Sequence, residues 1–153
     1  MPPHALPIPA GYHSLTPYLY VHDGVAALQF YARAFGAREL YRMEGPSGKI
    51  GHAELQVGDS RLMLADEAPE IGVRSPKSIG GSAMCLLLYV EDVDRVMDEA
   101  VRAGGTVTRP VKDQFYGDRT GVLTDPFGHL WTVATHKEDV SPEELQRRAS
   151  AAH

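Results

Sequence analysis

Few side chains in this sequence have the type and spacing to do chemistry. His52 and Glu54, within Gly51-His52-Ala53-Glu54-Leu55, stand two residues apart in an apolar stretch. In a strand both project from one side of the sheet. They can act as a ligand pair, or as a base with the carboxylate that orients it. A polar cross-strand pair on an outer face has the same pattern. Gln114-Phe115-Tyr116-Gly117-Asp118-Arg119 places an amide, two aromatics, a carboxylate and a guanidinium around one glycine. Tyr116 can stack on a ligand or hydrogen-bond to it, and Arg119 can clamp a carboxylate or phosphonate. The competing reading is an ion pair from Arg119 to Asp113 or Asp118 that holds the loop, with Phe115 in the core. Tyr18, Tyr20 and Tyr89 are further candidates for ligand contact, on strands of matching alternation.

The remaining candidates carry less chemistry. His129 follows a tight turn and reads as a residue bonded to that turn. His22 and His136 follow strands, and His4, His13 and His153 fall in arms or tails. Cys85 sits among Met84 and Leu86–Leu88 with no adjacent base, the setting of an inert buried thiol. There is no Ser-His-Asp order, no phosphate-binding glycine loop and no zinc CxxC spacing.

The elements that position these residues follow from periodicity and turn chemistry. Asp118–Thr135 reads as two apolar strands joined by Asp125-Pro126-Phe127-Gly128, with Asp, Pro and Gly where a type I turn wants them. A weaker copy lies upstream, where Val57-Gly58-Asp59-Ser60 turns between Ile50–Val57 and Arg61–Ala65. Ser14–Val21 is a strand in which Pro17 marks an edge or a locally unpaired position. Asp23 caps a helix whose Ala27, Leu28, Tyr31 and Phe35 form one stripe, and Gly36 stops it. Ala37–Met43 is the next strand. The order then repeats: strand Ala83–Val90, a helix capped by Asp92 with Val93, Val96, Met97, Ala100 and Val101 inward, a Gly104-Gly105 stop, and strand Thr106–Val111 before a loop to Gly117. Both halves therefore follow one βαβββ order. The fold class is α+β, one domain with a first module over 14–65, a linker over 66–82 and a second module over 83–136. The linker, about 17 residues without periodicity, is either mobile or functional. Ser141-Pro142-Glu143-Glu144 is a capping box that starts a short C-terminal helix, expected over 141–149.

Composition narrows the partners. The chain has 153 residues, 43% hydrophobic, and a net charge of −5 with both signs interspersed. A concentrated basic face is missing, which argues against nucleic acid and anionic membrane and favours a neutral or cationic small molecule. No apolar run approaches the roughly 18–20 residues of a membrane span. Met1–Ser14, with its prolines, reads as an extended arm rather than a signal peptide. A single cysteine fits a reducing compartment, so the expected location is cytoplasmic.

Two βαβββ modules closed by the Asp125–Trp131 hairpin make residues 14–136 similar to the vicinal oxygen chelate superfamily, which includes glyoxalase I, extradiol dioxygenases, fosfomycin-modifying enzymes and bleomycin-resistance proteins. Thr16–Val21, Gly51–Leu55 with Gly58–Leu64, and Asp113–Gly121 with Asp125–His129 together resemble its PhnB-like branch. The resemblance implies paired half-barrel sheets around a cavity, a homodimer in which cavities can draw on both chains, and a 114–119 loop that runs beside the cavity. It also implies four cavity positions that carry His or Glu in the metal enzymes. Here they fall on Thr16, on Met63 or Leu64, on Cys85 and on Thr132. That set does not suit a divalent ion, so no metal and no cofactor are expected. Trp131, next to Thr132, is then expected on the opposite face, under a helix. The implied function is metal-free binding of a small molecule, such as sequestration of a cationic or aromatic compound, with Tyr18, Tyr20, His52, Glu54, Tyr89, Gln114, Tyr116 and Arg119 as ligand contacts. The alternative is a metal-dependent lyase, isomerase or dioxygenase whose displaced ligand set comes from His52, Glu54 and His129.

Overall fold

The computed structural model describes residues 5–152; His4 and His153 lie outside them. The chain divides into two compact units, one ending at Gly80 and the other starting at Gly81.

The first unit holds β1 (Tyr18–Val21), α1 (Gly24–Phe35), β2 (Arg38–Glu44), β3 (Ile50–Val57), β4 (Ser60–Asp66) and the single turn α2 (Pro76–Ile79). Its sheet runs β1-β4-β3-β2, with β1 parallel to β4 and the other pairs antiparallel. Asp23 caps α1 by accepting the Ala26 N–H at 3.1 Å, and Gly36 closes it. Leu19, Val21, Ala53, Leu55, Leu62 and Leu64 are buried from one face of the sheet, with Ala27, Leu28 and Tyr31 of α1. Asp66 ties the elements together. Its Oδ1 accepts the Gly24 N–H at 2.9 Å and its Oδ2 the Ile50 N–H at 2.6 Å.

The second unit repeats the plan with β5 (Cys85–Tyr89), α3 (Val93–Ala103), β6 (Thr106–Asp113), β7 (Asp118–Thr124), β8 (Leu130–His136) and α4 (Pro142–Ala151). The sheet order is β5-β8-β7-β6. Asp92 caps α3 through the Arg95 N–H at 3.2 Å. Val93, Val96, Met97 and Ala100 of α3 are buried together with Leu123, Trp131 and Val133 of the sheet. Thr135 joins helix to sheet, donating to the Val90 carbonyl and accepting the Val93 N–H, both at 2.9 Å. The α+β class and the two four-stranded sheets with a C-terminal helix match the expected paired βαβββ modules.

Several boundaries differ from those expected. β1 starts at Tyr18 rather than Ser14. Pro17 has no N–H to give, although its carbonyl still accepts the Met63 N–H at 3.0 Å. The segment expected to lack regular structure after β4 has a 3-10 turn at Pro69–Ile71, a bridge between Ala68 and Val73, and α2, which packs against β1. One carboxylate organises it. Glu67 accepts the Ser75 N–H at 3.0 Å and the Ser78 hydroxyl at 2.5 Å. β6 continues through Lys112 to Asp113, and α4 reaches Ala151.

Candidate functional site

In each unit the helix covers one sheet face and leaves the other to present side chains. On the first sheet that open face carries Tyr18 and Tyr20 from β1, Arg61 and Met63 from β4, His52 and Glu54 from β3, and Tyr41 and Met43 from β2. Register fixes this grouping: Tyr18 lies beside Met63, Met63 beside Glu54, Glu54 beside Tyr41 and His52 beside Met43. Paired residues share a face of the sheet.

A chain of hydrogen bonds crosses this face. Tyr18 Oη lies 2.8 Å from His52 Nδ1, and His52 Nε2 lies 2.8 Å from Glu54 Oε2. Glu54 Oε1 accepts from the Tyr12 hydroxyl. Tyr12 comes from the N-terminal arm, and the Arg61 guanidinium lies over its ring, 4.9 Å from the centroid. Aromatic rings surround the polar chain. Tyr18 is 5.3 Å from Tyr20 and 5.6 Å from His52, and Tyr41 is 6.5 Å from His52. The Tyr12 hydroxyl, and then His52, hold the Glu54 carboxyl below the usual carboxylate range. Burial, and then Tyr20, push the Tyr18 phenol up. His52 and Glu54 are thus joined as a pair, with roughly a quarter of each side chain in solvent.

The second open face has its own chain. Asp118 is 5% exposed. Its Oδ2 accepts from the Tyr89 hydroxyl at 2.8 Å, and its Oδ1 lies 2.7 Å from His136 Nδ1. His136 Nε2 reaches Asp139 at 2.7 Å. Asp118, and then Asp139, raise the His136 imidazole above the ordinary histidine value, and Asp118 raises the Tyr89 phenol. Beside this network lies a cleft of about 270 Å³ lined by Asp113, Gln114, Gly117, Asp118, Lys137 and Glu138. The Gln114 amide donates to Thr120 Oγ1 at 2.9 Å.

The 114–117 turn is held from outside. The Gly117 carbonyl accepts the N–H groups of Lys137 and Glu138, at 2.8 and 3.1 Å. Gly117 has φ +102°, and a Cβ there would meet the Glu138 carbonyl at 2.4 Å, so no larger residue fits. Arg148 of α4 donates to the Phe115 carbonyl at 3.0 Å. Phe115 and Tyr116 pack edge to face at 5.3 Å, and both stay exposed, so Phe115 is not a core residue.

Arg119 goes to the other side of the sheet. It pairs in register with Thr135, whose hydroxyl serves α3. Its guanidinium makes two bonds to Asp94 of α3, at 2.9 and 3.1 Å, and one to Asp113 at 3.2 Å. The structure therefore brings Tyr18, Tyr20, His52 and Glu54 together on one face, and Tyr89 with the Gln114–Tyr116 turn on another, with Arg119 apart from both. Trp131 is buried, and its indole N–H donates to Asp125 Oδ2 at 2.9 Å. His129 is buried at the same turn, its N–H bonded to Asp125 Oδ1 at 3.0 Å. Sequence reasoning missed Tyr12 and the Asp118–His136 pair. The arm is too far along the chain for periodicity to link it to Glu54. Asp118 and His136 are opposite one another in register, a signal available once the β7–β8 hairpin is drawn.

The family model of the Glyoxalase/Bleomycin resistance protein/Dioxygenase superfamily matches residues 11–133. The chain belongs to that superfamily. It is 41% identical over 141 residues to an uncharacterized protein of Mycobacterium bovis, a match covering 90% of this chain and 93% of that one. Among solved structures, TioX from Micromonospora sp. ML1 is 27% identical with a TM-score of 0.64, over 81% of this chain and 98% of TioX. A gene product of Arabidopsis thaliana is 28% identical with a TM-score of 0.65, over 80% and 98% of the two chains.

The superfamily implies a metal in many members, and the donor set here can be tested against it. Of Met63 and Leu64, Leu64 lies at 0% exposure under α1, whereas Met63 sits on the open face. Cys85 is exposed rather than the buried thiol expected, because β5 presents it on the face that α3 leaves uncovered, and its Sγ faces Thr132 Oγ1 at 3.3 Å. Hydroxyls at Thr16 and Thr132, a thioether and a thiol do not supply the imidazoles and carboxylates that a divalent ion of this kind takes, so the four positions do not fit it. Among the described residues no three His, Cys, Asp or Glu side chains are grouped to share an ion.

Proposed function

We propose that this superfamily member is a metal-free small-molecule-binding protein of the PhnB-like branch, a cytoplasmic homodimer that sequesters a cationic or aromatic compound. The observation that carries the reading is the donor chemistry at Thr16, Met63, Cys85 and Thr132. Where chelating members place imidazoles and carboxylates, this chain places hydroxyls and sulfur. The open faces support the ligand class. Tyr18, Tyr20 and Tyr41 offer ring faces around His52, to which a cation is drawn by the ring quadrupole. Glu54 is an anionic anchor among them, its carboxyl held below the ordinary value by the Tyr12 hydroxyl and His52. On the second sheet Tyr89, Gln114 and Tyr116 are the proposed contacts.

The test has two arms. Protein purified without chelator is analysed for metals, and titrated with proflavine, a planar aromatic cation, by dye fluorescence. The expected result is saturable dye binding without a stoichiometric ion. One tightly held ion per subunit overturns the reading. Light scattering checks the dimer.

A second reading has one observation in its favour. His52 bonded to Glu54 on one nitrogen and to Tyr18 on the other has the form of a base with its orienting carboxylate. In that reading the protein is a lyase or isomerase that moves a proton at His52. His52→Ala with turnover intact on a candidate substrate removes it.

A further inference from the structure

The N-terminal arm makes a specific connection. The Tyr12 N–H donates to the Pro9 carbonyl at 3.0 Å, closing a turn over Pro9–Tyr12. Gly11 lies so close to Arg61 that a Cβ would meet Nη2 at 2.2 Å. The Tyr12 ring lies under the Arg61 guanidinium, whose Nε is buried without a hydrogen-bond partner. Such a stack attracts the cation to the ring face and offsets part of the cost of its burial. The phenol thereby reaches Glu54 Oε1, while Glu54 Oε2 serves His52.

We propose that Tyr12 is a positioning residue for the His52–Glu54 pair. The Pro9–Tyr12 turn, seated on Arg61, delivers a hydroxyl that fixes the plane of the Glu54 carboxylate, and that carboxylate in turn orients the His52 imidazole. The arm thus forms one wall of the cation-binding face, a step that rests on the binding function proposed above. The arrangement uses both carboxylate oxygens and both ring nitrogens, so no member of the chain turns freely. Removing the Tyr12 hydroxyl leaves His52 as the side chain hydrogen-bonded to Glu54 among the described residues. The titratable and charged groups that face Glu54 are Tyr12 from the arm, Tyr18 and Tyr20 from β1, Arg61 from β4, His52 on its own strand and Tyr41 from β2.

The experiment uses the full chain and the variants Tyr12→Phe and Tyr12→Ala. Carbon-detected NMR follows the Glu54 carboxyl through a pH titration, and proflavine fluorescence follows binding. In Tyr12→Phe the ring stays on Arg61 and only the hydroxyl is lost. The Glu54 midpoint is expected to rise toward the ordinary glutamate value, and proflavine affinity to fall about five-fold, the net size of one ordinary intramolecular hydrogen bond. Tyr12→Ala loses more affinity; where it fails to fold, Tyr12→Phe decides. A Glu54 titration unchanged in Tyr12→Phe overturns the proposal, and so does tighter dye binding in that variant, since Tyr12 would then be a plug. Wild-type protein that binds no dye defeats the binding function of this face, while the Glu54 titration still judges the role of Tyr12.

Discussion

On the first sheet a tyrosine from the edge strand reaches a histidine, which reaches a carboxylate: Tyr18, His52, Glu54. On the second the carboxylate takes the middle place, with Tyr89 and His136 on its two oxygens. The strand orders are the same, β1-β4-β3-β2 and β5-β8-β7-β6, so the repeat preserves the frame and not the site. The burial of the central group differs as well. Asp118 is buried, whereas His52 and Glu54 remain partly open to solvent. A buried carboxylate held by two partners makes a rigid strut. A partly exposed imidazole among aromatic rings can meet a ligand. The difference is the reason the proposed ligand contacts are weighted to the first face, with the second read mainly as support, and the following tests break or sharpen it.

The hairpin turns should differ most. Asp125 is 3% exposed and accepts three N–H groups, from Phe127, His129 and the Trp131 indole. Its counterpart Asp59 is exposed and, among the described residues, accepts the neighbouring Ser60 hydroxyl. Asp125→Ala should cost about 3 kcal/mol, because it leaves buried donors without acceptors. Asp59→Ala should stay within about 0.5 kcal/mol. Urea unfolding of both variants checks the contrast, and equal losses would show that the turns do equivalent work.

The central carboxylates come next. Asp118→Asn is expected to destabilise by about 2 kcal/mol, since a buried bond network is broken. Glu54→Gln is expected to cost about 1 kcal/mol, because water compensates in part. For dye binding the order reverses, with Glu54→Gln the more damaging. A binding defect confined to Asp118→Asn would move the ligand site to the second sheet.

Acid and base should act on opposite units. The His136 value is raised, so its contribution is complete below the ordinary histidine value near 6.5 and is lost as pH rises through the raised value. The Glu54 value is lowered, so its contribution is present above about 4.5 and is lost as pH falls through the lowered value. The Lys137 and Glu138 amides, which bond Gly117 beside His136, should therefore shift on the alkaline side, and the Tyr12 ring resonances on the acid side. An NMR pH series reads both. Movement of the two sets in one common transition would refute their independence.

Arg119→Ala should have the smallest effect on binding. Its guanidinium serves Asp94 and Asp113 on the helix side. Unchanged proflavine affinity is expected, and a marked loss would return Arg119 to the ligand site.

Much of the frame was legible from local chemistry. Asp23 and Asp92 as caps, Gly36 and Gly104 as stops, and Asp125–Gly128 as a turn all act within a few residues, so sequence alone carries them. Alternation also placed His52 with Glu54, and Trp131 opposite Thr132. It was less informative after β4, where Glu67 organises Ser75 and Ser78 across a stretch with no periodic pattern.

By itself, then, the sequence determined two βαβββ repeats with their caps and turns. Tertiary structure alone decided which face each strand parity meets: Met63 in the open and Leu64 under α1, Arg119 toward α3, Tyr12 on Glu54. The reason is physical. Caps, turns and alternation are short-range, whereas the covered face depends on where a helix packs, and a contact such as Tyr12–Glu54 forms only when distant segments are brought together by the folded sheet.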